Sequence, residues 1–482
     1  MRGAEPSFLL CDGALAACEL CTYAAVPDIH EFVERGPQAR FCGPCFAAGE
    51  HAYAPLPIDV LRYGDFVSSD DRARAVAEAA ALTLEECWSL VSRDVPLGEQ
   101  IRAATIRFFG RTDLESEDAA IVLATARRYA AGALVSMLVA ERAIDRARPE
   151  VLVAHHGIYV PQGILSEVAR RRGVRVVNWG TSYRDRTVIF SHGDTYHRTF
   201  LDEPVSEWGN GLDDRQEAEL LAFLAERRRG KGDWVWVTPE AALRPDEQAE
   251  QEIVEELGLD PTRPTFGLLT NVLWDAQLYY EGHAFANMLD WLWETIDHFA
   301  RHPERQLIIR IHPHEVKSGN RQPVAPEIAR RYPTLPPNVF VVDYDSPLNT
   351  YALMGLCRAV LIYGTKTGVE LAPFGQPVVI AADAWIRGKG LTVDVSTAAE
   401  YSAVLDRLIE LEPLSAETVA RARQYAHHYF FRRMIPLGSL AAGSSEVKLE
   451  ISSLNDLGRG ADAGLDVICD GILEGKPFVF DA

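Results

Sequence analysis

Between Thr265 and Ala382 short apolar runs alternate with longer amphipathic stretches: TFGLLT, a helical pattern around Phe285 to Phe299, QLIIRIHP, NVFVVD, a helical pattern from Asn349, AVLIYG, another from Thr367, and PVVIAA. Near-continuous apolar runs followed by helical-period segments predict parallel strands joined by crossover helices, and their repetition specifies a doubly wound sheet. A weaker version of the same texture comes earlier, with VLVAHH from Val151, a helix-like Gln162 to Arg172, and VRVVNWG from Val174. Upstream, residues 70 to 147 hold alanine-rich segments with apolar positions at helical spacing and acidic residues near their starts, which predicts helices packed on a first lobe. Residues 398 to 411 and 415 to 433 predict closing helices. The stretch from 443 to 482 has mixed patterning that predicts no single element, and there is no internal repeat.

A chain of 482 residues exceeds what one hydrophobic core organises, so the pattern is divided into lobes. The reading is a Cys-rich element over 1–50 joined to the first lobe, an N-terminal Rossmann-like lobe with a helical insertion over 51–232, a C-terminal Rossmann-like lobe over 233–435, and a tail over 436–482. The run Arg227-Arg228-Arg229-Gly230-Lys231-Gly232 suits a solvated connection between lobes.

Composition narrows the function classes. Hydrophobic residues make up 48% and charged residues 24%, the balance of a globular protein. A formal charge of −21 argues against a general nucleic-acid binder and against passive adsorption to anionic membrane, while leaving room for a local basic patch that holds a small anion. The apolar stretch Tyr129 to Ala140 is bounded by Arg127, Arg128, Glu141 and Arg142 and is too short to span a bilayer, so no transmembrane segment is expected. The N-terminus lacks the charged-then-apolar order of a secretory signal, and a cytoplasmic location is expected.

In an open parallel sheet, ligands bind beyond the carboxyl ends of the strands. Two segments fall there. The first is Arg310-Ile311-His312-Pro313-His314-Glu315, where Pro313 fixes the backbone after a histidine able to donate to a phosphate oxygen. The second is Tyr363-Gly364-Thr365-Lys366-Thr367-Gly368-Val369-Glu370, a strand-to-helix turn whose N–H groups and hydroxyls suit an anion, with Glu370 placed to accept from ribose hydroxyls. It lacks Walker spacing, which disfavours an ATPase. Read alone, each segment has an ordinary alternative: exposed polar histidines at a turn, and helix capping by Thr365 or Thr367.

Together with TNVLWDA at 270–276 and WIRGKGLT at 385–392, the texts IIRIHPHE and YGTKTGVELAPFGQPVV resemble bacterial capsule and surface-polysaccharide glycosyltransferases of the GT-B type. The resemblance covers 265 to 435 and more loosely 151 to 200. It implies an α/β fold made of a GT-B-like pair of Rossmann-type doubly wound domains, with the Cys-rich element and added helices as extras. It also implies that His312, Thr365 and Thr367 hold phosphate, with Arg310, Pro313, Glu315, Lys366, Gly368 and Glu370 completing a nucleotide site. Lys366 departs from the group's pattern, which has a second small hydroxyl residue there. Cytidine nucleotides are frequent among enzymes with a His-Pro motif, so a CMP sugar is one expected donor.

Such a transferase needs an acceptor base from the opposing lobe and no catalytic metal. Val151 to Ala154 lead into His155, His156 and Gly157 at a strand end, so His156 is the first candidate and His155 the second. Asp12 and the Ser191-His192-Gly193-Asp194 turn are further ones. Either histidine can equally serve to satisfy a buried hydrogen bond.

Of eight cysteines, five lie in the first fifty residues: Cys11, Cys18, Cys21, Cys42 and Cys45. Cys18-x-x-Cys21 and Cys42-x-x-Cys45 have the spacing of paired zinc knuckles, so a structural zinc is expected, with an iron–sulfur cluster the alternative because Cys11 adds a fifth thiol. Cys87, Cys357 and Cys469 are isolated and expected to be packing residues.

The expected activity is transfer of a sugar from a nucleotide sugar to a hydroxyl on a glycan or small-molecule acceptor. The rivals are epimerisation of a nucleotide sugar or polyol-phosphate transfer on the same fold, and a noncatalytic scaffold whose cysteine module docks a polysaccharide-assembly partner. Sugar, base, acceptor, stereochemical outcome and oligomeric state are not specified by these residues.

Overall fold

The computed structural model describes residues 3–26, 28–37, 41–229, 250–276, 282–315, 319–441 and 448–481. In the second lobe, β8 (Thr265–Leu269), β9 (Gln306–Arg310), β10 (Val339–Val342), β11 (Val360–Ile362), β12 (Val378–Ile380) and β13 (Val393–Asp394) form one all-parallel sheet in the order β10-β9-β8-β11-β12-β13. Numbered from β8, this is the 3-2-1-4-5-6 order of a doubly wound dinucleotide-type fold. Every residue of β9 and of β12 is buried, which is why these strands read as unbroken apolar runs. Helix Met288–Arg301 follows β8 and packs with Phe266, Leu268 and Leu307 on one face, whereas Val369 and Leu371 of Thr367–Leu371, after β11, pack with Leu269 and Ile308 on the other. The connections therefore diverge between β8 and β11.

The first lobe departs from the expected second Rossmann domain. β1 (Ser7–Leu10) and β2 (Asp59–Arg62) form a separate parallel pair, and β3 (Val91–Ser92) and β4 (Val95–Pro96) form a small hairpin. β5 (Val151–His155) and β6 (Arg175–Thr181) make one βαβ unit through helix Ile164–Arg171, but β7 (Thr187–His192) runs antiparallel to β6. The last strand, β14 (Ile435–Pro436), adds antiparallel to β7, giving the mixed order β14-β7-β6-β5. The bulk of this lobe is helical. Ala119–Ala147 spans 29 residues and is long and apolar enough by composition to cross a membrane, yet its apolar residues from Tyr129 to Val135 form the middle of the lobe's core.

Two segments pack where the sequence did not place them. Helix Asp214–Arg228 contributes Leu220 and Leu224 to the core that also holds Val369, Tyr425 and Tyr429 of the second lobe. Arg227, expected in a solvated connection, is instead 2% exposed and donates from Nε to Glu370 Oε1 at 2.8 Å. Burial of both partners, with Tyr351 Oη (2.6 Å) and Lys366 Nζ (2.9 Å) also donating to Glu370, satisfies a charge that would otherwise be costly to desolvate. Residues 230–232, the rest of that expected connection, lie outside the described residues. The stretch after 443, which predicted nothing, includes helix Ala463–Glu474, and Ile468 and Phe478 pack with Val177, Val188, Phe190 and Ile435 of the first lobe.

Replacing Arg227 by Met should leave the buried Glu370 carboxylate with only Tyr351 and Lys366 as donors and cost about 2 kcal/mol or more, while adding Glu370→Leu should recover much of the loss. Denaturant midpoints of the wild type and the two variants measure both changes.

Candidate nucleotide site between the lobes

The β8 and β11 connections open a gap at the carboxyl edge of the second-lobe sheet, and a cavity of about 610 Å³ sits there, closed on the far side by the first lobe. The second lobe lines it with Asn271, Val272 and Trp274 to Ala276 after β8, His312 and His314 after β9, Tyr363 to Thr367 after β11, and Ala382 to Trp385 after β12. The first lobe lines it with His155 and His156 after β5, Gly180 and Thr181 of β6, and Glu19, Arg107 and Tyr159.

His312 N–H donates to Thr270 Oγ1 at 3.0 Å, and its Nδ1 accepts from the His314 N–H at 3.1 Å. Acceptance at Nδ1 places the proton of the neutral ring on Nε2, making that nitrogen a donor. Pro313, between the two, sets the backbone that turns both rings into the cavity without lining it. Thr365 and Thr367 approach through their hydroxyls, 3.0 Å apart, and Lys366, at the start of helix Thr367–Leu371, makes no side-chain cap bond. Lys366 Nζ lies 5.1 Å from the Tyr183 ring centre while held by Glu370.

Other expected site residues fall elsewhere, each for a visible reason. Arg310 is 1% exposed, and its guanidinium donates to the Asp343 and Ser346 carbonyls and Thr350 Oγ1, so it fastens the loop after β10. Glu315, also 1% exposed, accepts from Val324 N–H at 2.9 Å, and burial pushes its carboxyl up to about 7. Glu370 is committed to the buried cluster described above and does not face a ribose. Gly368 is packing: a Cβ there would stand 3.0 Å from both Ile362 and Ile386. Asp12 accepts from Gly64 N–H in the β1–β2 unit, away from the cavity. In the third base candidate, His192 Nε2 bonds Lys476 O at 2.8 Å and Asp194 pairs with Arg170 at 2.9 Å.

The first-lobe wall holds more chemistry than its sequence announced. His156 and Tyr159 both adopt left-handed backbone, φ 63° and 66°, unusual for side-chain-bearing residues. Gly157 between them, φ 72°, abuts the Asn178 side chain, where any Cβ would collide at 2.5 Å. His156 Nε2 lies 3.2 Å from His197 Nε2, so one ring donates and the other accepts. Burial, then the neighbouring His197, His155 and Arg107, hold His156 well below its usual value, and burial takes His197 to about 4. The pair is neutral at physiological pH. Across from it, Arg107 stacks 5.1 Å from the Tyr159 ring and 5.7 Å from that of Trp274, beside Asp275, and Tyr159 Oη accepts from Ala276 N–H at 3.1 Å across the lobe boundary. On the β12 side, Asp383 is flanked by His283 Nε2 at 3.8 Å and Arg387 Nε at 3.5 Å, and burial first, then Arg387, brings His283 to about 4.

Arg107, Tyr159, His197, Asp275, His283 and Asp383 were not singled out from sequence as site residues. His197, within two residues of Thr195 and close after the SHGD turn, carried the nearest signal; Arg107 sits inside an ordinary amphipathic helix and carried none.

Fold and cavity together define a two-lobed α/β protein with a histidine-rich cavity at the switch point of a doubly wound sheet. No protein-family model matches the chain, and no curated protein matches it. Among solved structures it is similar to Thermosulfurimonas dismutans KpsC, a beta Kdo 2,4 transferase, at 12% identity and TM-score 0.36, covering 56% of this chain and 78% of that one. It is also similar to Methanocaldococcus jannaschii UDP-GlcNAc 2-epimerase, solved with UDP-GlcNAc and UDP, at 10% identity and TM-score 0.28, covering 86% and 97%. The Neisseria meningitidis UDP-GlcNAc 2-epimerase matches at 10% identity and TM-score 0.26, covering 62% and 79%.

The two low-lying rings give a pH signature. With folded values near 4 against an ordinary 6.5, His197 and His283 bind protons less readily in the folded chain than in the unfolded one. Their contribution to stability is complete above 6.5 and is lost as pH falls toward about 4. Denaturation midpoints at about pH 7.5 and about pH 5 should show this loss in the wild type and a smaller one in His197→Phe.

Proposed function

We propose that the chain is a GT-B-type glycosyltransferase that takes a nucleotide sugar in the second lobe and passes the sugar to a hydroxyl acceptor presented by the first. The observation that carries this reading is that His312, Thr365, Lys366 and Thr367, from the ends of β9 and β11, share one cavity with His155 and His156 from the end of β5.

The donor's phosphates would lie at the switch point, met by the His312 Nε2–H, the two threonine hydroxyls and the N–H groups of the turn. The acceptor hydroxyl would face the neutral His156–His197 pair, whose unprotonated nitrogen takes its proton as the oxygen attacks the anomeric carbon. The bond from that carbon to the phosphate oxygen breaks, and the donors around His312 receive the charge left on the nucleotide. Both halves of this chemistry need groups that are fixed in place and neutral or donating before substrate arrives, and burial of the histidines provides that. The product would belong to surface polysaccharide or a related glycan.

Thermal shift of the purified chain with CMP, CDP, UDP, GDP and TDP tests the donor site directly. One of these should stabilise the wild type, and His312→Ala should bind it about ten-fold or more weakly. A folded protein that responds to none of them would overturn the reading. With the nucleotide identified, His156→Ala should leave its binding in place and lower turnover about a hundred-fold or more. Turnover that needs no acceptor and inverts a sugar centre would identify an epimerase instead.

A further inference from the structure

The cavity lies at the carboxyl end of β9, and a second cluster of metal-binding side chains lies at the other end of the same strand. The chain enters β9 from helix Met288–Arg301. His298 is in the last turn of this helix and His302 follows its end, four residues on, so the two rings stack with centres 4.5 Å apart and planes 29° apart. Helix Ala398–Asp406 lies alongside, joined to the first by Ser402 Oγ donating to Glu294 Oε1 at 2.9 Å and by the Thr295 and Tyr401 hydroxyls, 2.7 Å apart. It ends at the same place, where Asp406 Oδ1 stands 3.8 Å from His298 Nδ1. One ligand atom from each of His298, His302 and Asp406 is within 4.8 Å of the other two. Among the described residues no other three histidine, cysteine or carboxylate groups meet so closely, the N-terminal cysteines included.

The surroundings suit a cation. His302 Nδ1 lies 3.1 Å from Glu304 Oε1, and a carboxylate only accepts, so the proton of the neutral ring is on Nδ1 and the lone pair is left on Nε2. A carboxylate behind a histidine is the usual outer partner of a metal-bound imidazole. His298 is 2% exposed, its Nε2 has no hydrogen-bond partner among the described residues, and its Nδ1 is too far from Asp406 for a hydrogen bond. An ion bound between the two would satisfy both side chains. The two helices also converge by their carboxyl ends, where the helix dipole favours positive charge.

The backbone beneath the cluster is fixed by the fold. Asn338 Nδ2 donates to the carbonyls of Phe299, His302 and Arg305 at 2.8, 3.2 and 2.7 Å, and the Arg305 guanidinium donates to those of Leu405 and Asp406 at 2.9 and 3.2 Å. Arg305 is thus committed to the chain and to Glu304, 3.4 Å from its Nε. A tetrahedral zinc ion with nitrogen and oxygen bonds of about 2.1 Å draws its ligand atoms to roughly 3.4 Å from one another. The side chains of His302 and Asp406, 33% and 69% exposed, have room to turn through the small distance this requires.

We propose that His298, His302 and Asp406 bind one divalent transition-metal ion of zinc's type, with water completing its coordination. Two imidazoles and a carboxylate match that class of ion and not calcium or magnesium, which take oxygen ligands. The ion clips the end of one helix to the end of the other, remote from the cavity, so it serves the stability of the second lobe whatever the cavity binds.

The test uses the full chain, stripped with chelator and then equilibrated with micromolar free zinc. The wild type should retain about one zinc ion per chain more than His302→Ala or Asp406→Asn, a difference that cancels any zinc held by the cysteines. Zinc should also raise the melting temperature of the wild type by several degrees more than that of either variant. Both replaced side chains reach solvent, so in chelator the variants should melt like the wild type; should one fail to fold, the other decides. Glu304→Gln should weaken the binding about ten-fold, because its carboxylate orients the His302 ring. Equal zinc content in the wild type and both ligand variants overturns the proposal. Full retention in Asp406→Asn with loss in His302→Ala overturns it too, since a bare histidine pair would then account for the binding.

Discussion

Adjacent parallel strands β8 and β11 send their connections to opposite faces of the sheet, because right-handed crossovers on either side of a starting strand can be packed no other way. The gap between those connections is where the segments after β8, β9 and β11 meet at the cavity. His312, Thr365 and Thr367 occupy it because of where their strands stop. Arg310, two residues before His312, points into the protein because it belongs to the strand itself. Two positions along the chain thus separate a group that lines the cavity from one that fastens a loop.

Burial holds the histidines around the cavity in their uncharged form. His156, His197 and His283 are all held neutral by removal from water, and each sits against a polar partner that fixes its ring. Where charge is retained, it is paired: Arg107 lies among Tyr159, Asp275 and Glu19, and Glu370 behind the Thr365–Thr367 turn is surrounded by donors from Arg227, Lys366 and Tyr351. Lys366 illustrates the arrangement. It stands in the turn in place of a small hydroxyl residue, and its ammonium is drawn back by Glu370, so the lobe keeps a cation near the turn while anchoring it.

The second lobe was legible because strands buried on both faces must be apolar throughout, and this pattern survives in any reading of the chain. The strand ends were legible for the same reason, which brought His312, Thr365 and Thr367 into view. The roles of Arg310 and Glu370 were not. Their partners are set by tertiary packing, and Arg227 lies 143 residues before the carboxylate it serves. The first lobe hid its topology because β1 and β2 pair across a stretch that, among the described residues, holds only two short helices, and because β14 arrives from the far end of the chain. Arg107, Asp275 and His283 come from elements whose local pattern serves other purposes, so only the assembled fold brings them together.

Among the described residues the backbone passes between lobes at two places, after β7 and again before β14, and these strands are neighbours in one sheet. Arg433 stands at their junction. Its guanidinium reaches the Phe190 and Phe478 carbonyls and the Glu203 carboxylate, and its plane lies over the Phe200 ring. The two crossings are thereby pinned together at one point by a single arginine, and a second tie between the lobes, from Gln322 to Thr112 and from Arg321 to Glu117, stands apart from it.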